Sequence, residues 1–221
     1  MKKFLVETHA HSSEVSSCAR CDAKELTKLI LKHGYSTVFV TNHLSESTIK
    51  KSGASDWDNI IDFFLDGFEL IKTEANGRLN VLLSMEINFN GEDNDYLVYG
   101  ITEKFLRDNK YLTEMSLRTF YPLAKRHGLY VIQAHPFRFG SRIKNPKYLD
   151  GYEIFNGNPR HNSNNDIAKS WAFKYEKLTT AGSDFHQTED AGISGMYFDK
   201  EIKSTGDFIN ALKSGDYSIK Y

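Results

Sequence analysis

Short apolar, β-branched runs alternate with longer amphipathic stretches along most of this chain, and that alternation constrains the fold more than any other feature. Residues 3–8 read as a strand. Residues 22–33 read as a helix that Asp22 caps, with Glu25 completing a capping box and Gly34 as the stop. The run at 37–41 (TVFVT) suits a strand buried on both faces. Ser55 or Asp56 opens a helix whose apolar face runs through Ile60, Ile61, Phe64, Phe68 and Ile71 to an end near Asn76-Gly77. Strands follow at 79–85 and 96–99, with a turn or loop at 89–95 between them. A helix at 114–127 stops at Gly128, and strands are expected at 129–133 and 151–155. The pattern closes with a helix at 164–177, a strand at 178–182 and a short helix at 206–212. Such alternation predicts a parallel sheet, either open and doubly wound or closed as a barrel. About seven βα-like steps would make a compact barrel, smaller than the usual ~250 residues. No fixed-period repeat and no Pro/Gly/Ser-rich linker interrupts the chain, which reads as one domain over residues 1–221.

The ends of these strands carry the chemistry. His9 and His11 follow the first strand as His-Ala-His, and residues two apart in an extended segment point the same way. His43 follows the second strand, Glu86 the third, His135 a later one, and Asp184 and His186 end another. Strand C-terminal ends are where barrel and doubly wound enzymes build their sites. A lone strand-end histidine is more often a cap or a surface residue, and a lone Glu86 or Asp184 would be a solvated carboxylate or a turn former. Seven such side chains at five strand ends read together as a metal centre.

Composition removes other classes. The chain has 28 basic and 29 acidic side chains, so bulk electrostatics do not favour a polyanion partner, and no stable binding of a nucleic-acid duplex is expected. No apolar run approaches the ~20 residues of a membrane span. An acid and a histidine appear too early for a signal peptide, and two cysteines make no disulfide framework, so a cytoplasmic location is expected.

His9-Ala-His11, Thr41-Asn42-His43, Glu86, Ala134-His135-Pro136 and Gly182-Ser183-Asp184-Phe185-His186, in that order, resemble the motifs of the PHP (polymerase and histidinol phosphatase) family. The resemblance runs from about residue 4 to about residue 190. It implies a distorted (β/α)7 TIM-like barrel with two or three divalent transition-metal ions (Zn, Fe or Mn) at the C-terminal mouth, and hydrolysis of phosphate esters. It implies that His9, His11, Glu86 and Asp184 hold one ion, that Glu86 bridges to a second held by His135, and that His43 and His186 hold a third. Two departures stand out. Asn42 replaces the usual aspartate of Thr-Asp-His, and Asp95 stands where the family often has a histidine. Asp95 is a competent oxygen ligand that tilts the site toward Mn or Fe, and equally reads as a solvated loop carboxylate. Glu14 is the nearest side chain after His11 able to complete the third position.

Two ions about 4 Å apart lower the pKa of a bridging water and clamp phosphate oxygens, so the expected nucleophile is a metal-bound hydroxide. Arg20, Arg138, Arg160 and His161 lie in loops expected to follow strands, where they would bind phosphate, with His161 or Arg138 assisting the reaction. Each also reads singly as a solvated surface residue. Asn156 and Glu153 are weaker candidates to line the mouth, and His33 and His127, each before a helix-stopping glycine, read as structural. Cys18-Ala19-Arg20-Cys21 has redox-pair spacing but reads as a loop near the site, with Cys18 an outside candidate ligand. The expected activity is metal-dependent hydrolysis of a small phosphate ester, a phosphomonoester or a small nucleotide. The alternatives are an amidohydrolase-like centre, which would want a bridging lysine, and a metal-stabilised binding module without turnover.

Overall fold

The computed structural model describes residues 3–221. The elements are β1 (Phe4–Ala10), α1 (Ala23–Lys32), β2 (Tyr35–Val40), β3 (His43–Leu44), α2 (Glu46–Ser52), α3 (Trp57–Ala75), β4 (Asn80–Asn88) and β5 (Asp95–Tyr99). They continue with α4 (Glu103–Asp108), α5 (Leu117–Arg126), β6 (Tyr130–Gln133), β7 (Gly151–Asn156), α6 (Asn165–Lys174), β8 (Leu178–Gly182), β9 (Gly195–Phe198), α7 (Thr205–Ser214) and β10 (Tyr217–Lys220). The helices begin where side chains can satisfy free backbone N–H groups. Asp22 accepts from Glu25 N at the start of α1, Asp56 from Asn59 N at α3, and Ser116 from Thr119 N at α5. His33 and His127 cap the C-termini of α1 and α5, the structural places expected of them.

One sheet runs β10-β9-β1-β2-β4-β5-β6-β7-β8 and curls into a nearly closed, distorted TIM-like barrel. The β1–β2, β2–β4, β6–β7 and β7–β8 pairs are parallel. β5 departs from the expected all-parallel order and lies antiparallel to both β4 and β6. The reason is its connection. Only a short turn joins β4 to β5, and so few residues permit a hairpin but not a parallel crossover. β9 and β10 are likewise antiparallel additions.

Closure is shared along β1. Its first half pairs with β9, Phe4 opposite Phe198 and Val6 opposite Met196. Its far end turns to β8 and the residues after it. Thr8 Oγ1 donates to Ala181 O, His11 N to Phe185 O, and Phe185 N to His9 O. A Cβ on Gly182 would lie 2.6 Å from the His9 Cβ and 2.9 Å from the His9 backbone nitrogen, so only glycine permits this approach.

Helices cover the outside. Leu26, Leu29 and Ile30 of α1 and Ile71 of α3 pack on Leu5, Val38 and Val40. Trp57, Ile60 and Phe64 of α3 and Phe120 of α5 share a core with Met85, Ile87, Tyr96 and Val131. Phe208 of α7 packs its ring 4.6 Å from Phe39 of β2 and 5.1 Å from Tyr99 of β5. Among the described residues no helix is long and apolar enough to cross a membrane.

Candidate metal centre

Glu86 lies at the centre of the mouth. Its Oε2 is 3.2 Å from His9 Nε2, 3.2 Å from His11 Nε2 and 3.3 Å from His43 Nδ1, while Oε1 is 3.2 Å from His135 Nε2. Asp184 stands opposite, its Oδ1 3.3 Å from His9 Nε2, 3.6 Å from His11 Nε2 and 3.4 Å from His186 Nδ1. These candidate ligands come from distant parts of the chain, and the parallel strands deliver them to one end. The reversal of β5 explains Asp95. A strand running backwards begins at the mouth, so Asp95 pairs with Asn88 at the end of β4 and lies 3.8 Å from His135.

Buried hydrogen bonds fix how the rings face. His9 Nδ1 lies 2.8 Å from Glu153 Oε1, which assigns the ring proton to Nδ1 and leaves Nε2 toward the cluster. Glu153 Oε2 accepts from His135 N and from Asn156 Nδ2, both at 2.9 Å. His11 Nδ1 is 3.3 Å from Ser16 Oγ, which donates to Asn42 Oδ1 at 3.0 Å and accepts from His43 N. Asn42 thus orients the His11 ring through Ser16, the task an aspartate there would perform. Two ligand residues hold left-handed backbone, His135 at φ 26° and Asp184 at φ 53°, strain of the kind that collects at functional sites.

Electrostatics follow from burial. Burial alone would raise the Glu86 and Asp184 carboxyls, but the surrounding imidazoles, His9 foremost, hold both well below the usual carboxylate range. Burial likewise opposes charge on His9, yet Glu86, Glu153 and Asp184 raise it well above an ordinary histidine. Burial lowers His43 to about 3 and His186 to about 4, so both are neutral with lone pairs to give. Asp95 is pushed up to about 6 by burial and by the Glu86 charge.

The donor set fits metal ions. Three groups have donor atoms all within 4.8 Å of one another: His9, His11, Glu86 and Asp184; Glu86, Asp95 and His135; and His11, His43 and His186. His9 Nε2 and His11 Nε2 are buried without any hydrogen-bond partner, a costly arrangement that a cation would relieve. These groups contain every metal-ligand candidate of the sequence except Glu14 and the outside candidate Cys18. Glu14 Oε1 accepts from Ala23 N at 2.8 Å and so supports the start of α1, outside all three groups.

A cleft of about 560 Å³ opens over the cluster, lined among others by Arg20, Arg138, Arg160, His161, Asn158 and Phe139. Arg20 is exposed to it. Arg138 turns inward and reaches Asp184 Oδ2 at 3.2 Å. Arg160 is engaged elsewhere, its two terminal nitrogens on the two oxygens of buried Asp190. Burial lowers His161, so its ring is neutral. Cys18 Sγ lies 3.1 Å from His186 Nε2 and belongs to none of the three groups. The sequence reading left Glu153 undecided and passed over Glu7, Ser16 and Asn158, whose side chain reaches Asp184. An acid inside an otherwise apolar strand, as in FLVETHA and GYEIFN, is the signal for Glu7 and Glu153.

A nearly closed α/β barrel that gathers imidazoles and carboxylates at the C-terminal ends of its strands defines a class, the barrel proteins with a mouth-borne metal-ligand cluster. The family model described as PHP-associated matches residues 162–217. Among solved structures, PsfC from Pseudomonas syringae is similar with a TM-score of 0.69 at 16% identity, over 95% of this chain and 88% of that one. A two-domain protein from Bacteroides vulgatus, described as containing a predicted PHP-like metal-dependent phosphoesterase, gives 0.71 at 14% identity, over 100% of this chain and 65% of that one. Endonuclease Q, solved with a duplex bearing an abasic lesion at its active site, gives 0.67 at 11% identity, over 96% of this chain and 57% of that one. No curated protein matches by sequence. The chain thus shares the barrel of these PHP-like structures and, over residues 162–217, the pattern of the PHP-associated family model.

Proposed function

We propose that this chain hydrolyses phosphate esters of small molecules, a phosphomonoester or a small nucleotide, in a metal-dependent reaction. The observation that carries the reading is the convergence of three ligand groups, two of them sharing Glu86, beneath a cleft that also presents arginines. His9, His11, Glu86 and Asp184 would hold one ion, and Glu86, Asp95 and His135 a second. His11, His43 and His186 form the remaining candidate group. Divalent ions there would lower the pKa of water and neutralise charge on phosphate oxygens. The chain's own groups do the rest. Arg20, exposed at the rim, is free to pair with a phosphate oxygen. Arg138, on the turn after His135, would add a second cationic contact where charge grows in the transition state. His161, neutral, can donate its one N–H to phosphate or accept a proton from water.

The cleft exceeds what a phosphate group alone fills, leaving room for an organic half. Asp93 and Asp95 share its lining with the arginines, a mixed charge that suits a compact substrate better than a long polyanion. No lysine lines the cleft among the described residues, which speaks against an amidohydrolase centre bridged by lysine.

The test is phosphate release from a panel of phosphomonoesters and small nucleotides, using chelator-stripped protein restored with Mn²⁺, Fe²⁺ or Zn²⁺. Activity should require added metal and fall at least ~10³-fold in Glu86→Gln, on the scale of losing a principal electrostatic group. Absence of turnover with every metal, or full activity in that variant, overturns the reading.

A further inference from the structure

Arg138 takes part in the ligand cluster itself. Its Nη2 lies 2.7 Å from His135 Nε2 and 4.0 Å from Asp95 Oδ2, and its Nη1 is 3.2 Å from Asp184 Oδ2. The side chain is one-fifth exposed and rises from a turn in which Arg138 N donates to His135 O. Its guanidinium therefore touches donors belonging to two ligand groups at once.

A guanidinium can only donate hydrogen bonds, so His135 must offer it the Nε2 lone pair. An ion held by Glu86, Asp95 and His135 needs that same lone pair. One lone pair cannot serve both. Asp95 and Asp184 add a Coulomb attraction that holds the arginine in place. A cation coordinated by His9, His11, Glu86 and Asp184 meets a weaker obstacle, because Arg138 touches only the Oδ2 of Asp184 while Oδ1 faces the imidazoles.

We infer that Arg138 and the second cation compete for His135, so that Arg138 sets the order in which the centre fills. The first ion binds without displacing it, and the second binds only as Arg138 leaves. A phosphate dianion in the cleft gives the displaced guanidinium a new partner, so phosphate and the second ion reinforce each other. By linkage each raises the affinity of the other by the same factor. This rests on the reading of the mouth as a centre for more than one ion, but not on turnover.

The experiment is titration of Mn²⁺ into chelator-stripped, full-length protein by calorimetry, with and without inorganic phosphate, for wild type, Arg138→Ala and Arg138→Gln. Removing the guanidinium should tighten the second equivalent by about tenfold or more, the worth of one charge-assisted hydrogen bond, and change the first by less than about threefold. Phosphate should tighten the second equivalent more in wild type than in either variant, because only wild type has a guanidinium to draw away from His135. A second equivalent no tighter in the variants, or an equal response to phosphate in all three proteins, overturns the inference while leaving the hydrolase reading intact. Wild type that binds none of Mn²⁺, Fe²⁺ and Zn²⁺ in the same titration overturns both. Arg138→Gln keeps the length of the side chain without its charge and carries the test if Arg138→Ala fails to fold.

Discussion

Glu153 is fully buried and receives three hydrogen bonds, from His9 Nδ1, from His135 N and from Asn156 Nδ2. It joins a ligand of the first group to the backbone of a ligand of the second. Replacing it with alanine frees the His9 ring, releases the backbone at His135 and leaves three donors without their acceptor. Mn²⁺ affinity in Glu153→Ala should fall by about 10- to 100-fold, read by calorimetry, with Glu153→Gln intermediate. Glu7 has a different consequence. Its carboxyl accepts from His9 N, Ser183 N and Ser183 Oγ, yet burial pushes it up from 4.5 to about 7. The folded protein keeps a proton there that the unfolded chain has released, so this contribution is present below about pH 4.5 and is lost as pH climbs to about 7. For chelator-stripped protein, the melting temperature of Glu7→Gln relative to wild type should rise steadily across that window, and a pH-independent difference would refute it. The candidate ligands after each strand were legible because an apolar run ending in His, Glu or Asp is unusual, and the fold brings them within 4.8 Å in three groups. Glu7 and Glu153 were not, because an acid within a strand reads equally as an edge residue or an inward one. Glu14 lies outside the three groups, and spacing alone does not reveal that its carboxylate accepts from Ala23 N at the start of α1.

At the scale of elements, close approach matters more than propensity. Gly182 brings β8 against β1, and the Cβ of an alanine there would meet His9 Cβ at 2.6 Å and Glu7 Oε1 at 2.9 Å. Gly182→Ala should cost about 1–3 kcal/mol, as overpacking does, and lower the melting temperature by several degrees. Gly67 of α3 plays a similar part beneath the site, since a Cβ there would lie 2.7 Å from Asn42 Nδ2 and from Val15 Cγ2. Helix α6 has no side-chain N-cap and buries only Ala168 and Ala172, whereas α1, α3 and α5 were legible from periodicity, because each buries an apolar stripe. The direction of β5 was not, because an apolar run looks the same read either way and only the short turn before it forces reversal. The two-residue β3 and the seven-residue, largely polar α2 are too short to leave a periodic trace.

For the molecule as a whole, periodicity left barrel and open sheet undecided while the resemblance of the strand-end motifs implied a barrel, and β1 closes it by dividing its edge between β9 and β8. Ligands stand on both sides of that seam, His9 and His11 on one and Asp184 and His186 on the other. Metal should therefore stabilise the entire fold. At about 100 times Kd, one ion adds about 2.7 kcal/mol, or roughly 5–10 °C in melting temperature for a chain of this size. Amide exchange at residues 4–11 and 178–186 should slow most, whereas uniform slowing or none would argue against a clasp across the seam.

The same closure bears on how the protein is made. His9 and Asp184 are 175 positions apart, and β1 completes its first half only with β9 (Gly195–Phe198). Synthesis proceeds from the N-terminus, and the first strand therefore waits, its edge unpaired, while most of the chain emerges. An ion held by His9, His11, Glu86 and Asp184 could not be captured before residue 184 has been made, because that group of ligands does not exist until then. Loading of that group would be a late step that follows the closure of β8 against β1.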